Sequence, residues 1–136
     1  MKATLLTLIS LCALCTTALA ETNRGFDGTW VGEEYIHAVR GKWSQESSQD
    51  TVPIAHPTFI IARNGSLVGR LNGPAAGRFD HVVLKGGILY FGAGSTTFEL
   101  TLSNNGQTLN ETARVVTPRG RYGEAECRLI GHFHRK

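Results

Sequence analysis

The chain is predicted to fold as an all-β domain, an antiparallel up-and-down barrel of about eight strands, and three observations predict it. Short runs rich in Val, Ile, Phe, Tyr and Thr recur along it, each ended by a glycine-bearing turn. Several of these runs alternate apolar and polar residues, which puts the apolar half on one sheet face. Beyond the N-terminal leader, no stretch carries apolar groups at helical spacing for the length of a helix. A two-sheet β-sandwich is the alternative arrangement of the same strands.

At 136 residues there is room for one domain. Met1-Lys2, an apolar run through Leu14, and Ala18-Leu19-Ala20 before polar Glu21 make a secretory leader over 1–20. Cys12 follows Leu11 and Cys15 follows Leu14, where a lipidation signal wants a small residue. Cleavage leaves a single β-barrel domain over 21–136 in a secreted or periplasmic setting. Only Cys127 of the three cysteines then remains, so no intrachain disulfide can hold the fold. Losing Lys2 from the 14 basic residues leaves 13 against 11 acidic ones, a net +2. The arginines are scattered, without a basic stripe interleaved with aromatics, so no nucleic-acid partner is expected.

The first run, Thr29 to His37, puts Trp30, Gly32, Glu34 and Ile36 on one face and Val31, Glu33 and Tyr35 on the other. Residues 38–56 are the least patterned part, and the polar stretch Ser44 to Asp50 within them reads as a solvated loop. Pro57 opens a second run, Thr58 to Arg63, and Asn64-Gly65 turns it into a third, Ser66 to Asn72. A two-residue turn sets Ile61 opposite Val68; a bulged three-residue turn sets it opposite Leu67. The bulged turn gathers Phe59, Ile61, Leu67 and Leu71 on one side and is the preferred register. Phe79 to Lys85 and Ile88 to Phe91 follow, joined by Gly86-Gly87. Thr97 to Leu102 alternates cleanly, Asn104-Asn105-Gly106 turns into Gln107 to Val116, and Pro118-Arg119-Gly120 turns into a last run, Ala125 to His134.

Gly28-Thr29-Trp30 near the mature N-terminus, followed by a meander of this length, resembles the calycin group: lipocalins, fatty-acid-binding proteins and avidins. The resemblance implies a barrel that holds a small ligand, with Trp30 plugging its closed end and an arginine from a late strand packed across the tryptophan. Arg128 lies on the face opposite Cys127, Leu129, Gly131 and Phe133, so the arginine role has no occupant on this reading.

Catalytic signatures are lacking. Glu33 and Glu34 point to opposite faces, Glu124 and Glu126 share a solvated face with Arg128, and no serine sits in a nucleophile elbow. His132 and His134 share one side of a strand, but their neighbours Arg128 and Ile130 offer no third ligand, so no metal site is expected. Cys127 reads as a buried, inert thiol. Glu34 and Glu111 are more informative, because each interrupts an apolar face, and a carboxylate there must be paired, hydrated or bound to a ligand. The function expected is therefore a non-enzymatic binder of a small, partly apolar ligand, with Trp30, Glu34, Tyr90 and Glu111 as ligand-binding residues and no cofactor. The alternative is an interaction or inhibitor protein acting through its outer surface and the 38–56 loop with Trp43.

Overall fold

The computed structural model describes residues 25–40, 52–120 and 123–136. The leader over 1–20, Trp43 and the polar stretch Ser44 to Asp50 lie outside the described residues. Among the described residues nine strands follow in chain order: β1 (Gly28–Arg40), β2 (Thr58–Ala62), β3 (Leu67–Leu71), β4 (Gly77–Phe79), β5 (Val83–Lys85), β6 (Ile88–Ala93), β7 (Thr96–Ser103), β8 (Thr108–Gly120) and β9 (Gly123–Arg135). They form one antiparallel sheet in the order β4-β3-β2-β1-β9-β8-β7-β6-β5. Chain neighbours lie side by side except β4 and β5, which form the two edges, and β9 returns to pair with β1 along nearly its whole length. A single meandering sheet excludes the sandwich.

The sheet curls into a half-barrel. Its two edges, β4 and β5, share no ladder, but Phe79 of β4 reaches Phe91 of β6 and Phe98 of β7 at ring separations of 4.9 and 5.8 Å. Period-two patterning decides what goes inside. Trp30, Phe59, Ile61, Val68, Phe79, Leu89, Phe91, Phe98, Leu100, Leu109, Leu129 and Phe133 are all buried on the concave face. Each contributes about 1.5–3 kcal/mol by leaving water, and Phe91 and Phe98 stack at 5.0 Å between ring centres.

Three expectations need correction. The run Phe79 to Lys85 is two short strands, because β4 pairs with β3 and β5 with β6, and the chain crosses the seam at 80–82. That raises the count from about eight to nine. Pro118-Arg119-Gly120 is the end of β8 and not a turn: Thr117 pairs with Ala125 and Gly120 with Gly123, across an irregularity that absorbs the proline. The β2–β3 hairpin also takes the other register. Ile61 stands opposite Val68 and Ala62 opposite Leu67, so the inward set is Phe59, Ile61, Val68 and Arg70, while Leu71 is exposed. Arg63, Asn64 and Gly65 all take positive φ in that turn. The Asp27 carboxylate accepts from the backbone N–H groups of Asn64 and Gly65 at 3.1 and 2.9 Å, tying the turn to the start of β1.

Candidate functional site

The interior is built in cross-strand rows. At one end Trp30 is wholly buried and donates its indole N–H to the Phe26 carbonyl at 2.9 Å. Alternation along β9 runs Leu129, Gly131, Phe133, Arg135, and the last of these lies over the Trp30 ring with its guanidinium carbon 4.2 Å from the centroid. Arg135 also donates to the backbone carbonyls of Asp27 at 2.7 Å and Gly25 at 2.5 Å. Gly28 is required there: its φ is +140°, and a Cβ would sit 2.9 Å from the Arg135 Nη1. The arginine stacked on Trp30 is thus Arg135, two residues beyond Phe133 on the inward face of β9, and not Arg128.

In a neighbouring row, β1 and β8 flank β9 so that Glu34 and Glu111 both stand opposite Gly131. Both carboxylates are buried, as is Arg70 from β3. The Arg70 Nη2 donates to Glu34 Oε2 at 2.5 Å and Nη1 to Glu111 Oε1 at 3.1 Å, while Nε donates to the Pro74 carbonyl at 2.9 Å. The guanidinium is held between the rings of Phe59 and Phe98, 5.2 Å from each centroid. Two carboxylates and one guanidinium thus form a belt across a dry interior. Among the described residues, Glu34 Oε1 and Glu111 Oε2 find no hydrogen-bond donor. Burial, with the Glu34 charge beside it, pushes the Glu111 carboxyl up to about 8, against the opposing pull of Arg70.

Of the predicted ligand residues, the structure brings Glu34 and Glu111 together and places Trp30 toward the end closed by Arg135. Tyr90 is elsewhere: it is half-buried between inward Leu89 and Phe91, with Val83 and Glu99 as cross-strand partners, and belongs to the outer face. Sequence reading missed Arg70. The signal for it was two inward carboxylates with no cation to meet them.

Farther from Trp30, the rows end in Cys127, Val115, Thr96 and Ala93, cross-strand partners on β9, β8, β7 and β6. Cys127 is half-buried, and its thiol is pushed up first by burial and then by the Glu34 charge, which leaves it inert at neutral pH. Beside Ala93 the seam between β4 and β6 opens into a cavity of about 370 Å³, lined by residues 75–81 and by Gly92 and Ala93. Phe79 gives it an apolar wall, and exposed Arg78, Asp80 and His81 give it a polar rim. Arg70 bears on this cavity through Pro74, whose carbonyl it holds immediately before the lining loop.

On the outer face, Glu126 accepts from Arg114 and Arg128 at 2.8 and 2.9 Å, which holds its carboxyl down at about 2. His132 is exposed with its Nδ1 3.1 Å from Asn110 Oδ1, and Glu33, its cross-strand partner, accepts the Tyr35 hydroxyl. Among the described residues no three His, Cys, Asp or Glu side chains are grouped to hold a metal ion.

No family model and no curated protein sequence matches the chain. Among solved structures it is similar to the zebrafish ileal bile acid-binding protein complexed with cholic acid, with 15% sequence identity, 82% of this chain and 99% of that one covered, and a TM-score of 0.45. A likeness at that level is too slight to carry a ligand across.

Proposed function

We propose that the protein binds a small, partly apolar molecule without transforming it, and that the binding place is the seam cavity beside Phe79. The observation that carries this reading is the cavity itself. At about 370 Å³ it falls in the range of small-molecule sites, with an aromatic wall and a polar rim. Trp30 and Glu34, by contrast, are wholly buried and do not line it. Glu34 and Glu111 serve the site at one remove, as positioning residues: they fix Arg70, and Arg70 fixes the loop that lines the cavity. With the leader over 1–20, the protein would do this outside the cytoplasm. The Trp30–Arg135 stack supports the calycin-type reading of the barrel.

The test uses anilinonaphthalene sulfonate as an apolar probe. Ala76→Trp places a bulky side chain in the cavity from an exposed position, and we expect it to weaken probe binding at least tenfold while leaving the unfolding midpoint unchanged. Wild-type affinity in that variant would remove the cavity from consideration.

A second reading has its own observation. Val52, Ile54, Ile60 and Leu71 are large, apolar and exposed: two lie just ahead of β2, one within it and one at the end of β3. Such a group fits a protein partner docked on the outer surface next to the 38–56 region. Native mass spectrometry of protein from its host separates the two readings: a retained small molecule supports the first, and a retained protein lost on Ile54→Lys supports the second.

A further inference from the structure

The Glu34–Arg70–Glu111 belt carries a deficit that no other described residue makes good. Two carboxylates meet one guanidinium in a region where all three side chains are out of solvent. With both acids ionised, the belt would hold an uncompensated negative charge in a medium that resists it. It would also hold two bare acceptors, because each glutamate spends one oxygen on Arg70 and the other finds no donor. Both acids stand across from Gly131, on the strands either side of it. Nothing larger than glycine fits there, since a Cβ would lie 2.5 Å from Glu111 Oε2 and from the Phe133 ring. Both carboxyl groups therefore meet the same guanidinium, and Glu111 Oε2 lies over that bare backbone position.

We propose that Glu34 and Glu111 hold a single proton between them over Gly131, and that this proton is a built-in latch on the fold. One proton corrects both faults: it cancels the excess charge and turns one oxygen into the donor that the other lacks. Arg70 from β3 and the Cys127 thiol from β9 are the other ionisable groups that bear on the pair. Among the described residues, Phe59 and Phe98 on the guanidinium, Leu100 opposite Glu111 and the Phe133 ring beside Gly131 are apolar. The upward shift of Glu111 agrees with this geometry. Because Arg70 also grips the Pro74 carbonyl, losing the proton strains the loop at the seam cavity as well as the belt. The latch requires no ligand and stands or falls apart from the proposed binding function.

The sign follows from linkage. A carboxyl that keeps its proton in the folded state and sheds it on unfolding makes stability greatest in acid. That stability then falls as pH rises from about 5 to about 8, and the curve is flat beyond. Across that window the unfolding equilibrium constant of the full chain should rise by up to about tenfold per pH unit from this pair alone. The experiment compares denaturant unfolding of wild type, Glu111→Gln and Glu126→Gln over that range. Glu111→Gln keeps the shape and a permanent donor, and it should remove the extra slope. Glu126→Gln, at the exposed ion pair, should keep it. A wild-type slope unaffected by Glu111→Gln overturns the proposal. Should that variant fail to fold, NMR titration of the glutamate side-chain carboxyls in isotope-labelled wild type decides. A carboxyl with an alkaline midpoint supports the shared proton, and all glutamates titrating in the ordinary range defeat it.

Discussion

The end of the barrel closed by Trp30 and the seam between β4 and β5 belong to one sheet but are held together differently. At the closed end the long strands β1 and β9 pair over most of their length, and Arg135 stacks on the tryptophan while donating to two carbonyls near the chain start. At the seam two strands of three residues share no ladder with each other, every residue of β5 is exposed, and a cluster of phenylalanines does the sealing. Between the two lies the Arg70 belt, polar in composition and dry in placement. The difference separates tasks. Backbone pairing and a buried cation hold the molecule, and the stretch without pairing is where a cavity is tolerated and where the proposed ligand would be most cheaply admitted.

Substitutions sharpen that contrast. The largest effect should come from Arg70→Ala, which strands two carboxylates in the interior. We expect a loss of about 3–5 kcal/mol, read from denaturant unfolding, and an equally stable variant would show that the belt carries no weight. Arg135→Ala comes next, at about 1–3 kcal/mol from the lost stacking and charge-assisted hydrogen bonds. Trp30 fluorescence should show the ring becoming wetter in that variant. Smallest is Leu84→Thr on the exposed edge strand, where the change should stay within about 0.5 kcal/mol. A larger loss there would mean that the seam is more tightly built than its exposure indicates.

Much of the architecture was legible in the residues. Alternation placed Trp30, Glu34 and Glu111 inside, and the glycine turns placed most strand boundaries. The failure with most bearing on the site was the register of one hairpin. Choosing the turn that buried the most leucine put Leu67 and Leu71 inward, and a slip of one residue turns every side chain of β3 over. That choice left Arg70 facing water and the two inward acids unanswered. Read together, the acids should have selected the other turn, because a cation on the inner face of β3 is worth more than a second leucine there. Arg135 escaped notice for a simpler reason: as part of a terminal basic pair it was not followed as the next inward residue after Phe133. The seam cavity was not legible at all. It depends on where the sheet fails to pair, and a short apolar run does not reveal that it will be split between two edges.

The grip of Arg135 on Gly25 and Asp27 brings residues from opposite extremes of the described chain to one spot, 110 and 108 positions apart in sequence. The order of the polypeptide is therefore almost interchangeable. A rearranged gene that joined residue 136 to residue 25 and began anew at 80–82, where no ladder has to be cut, would keep every strand beside its present neighbours.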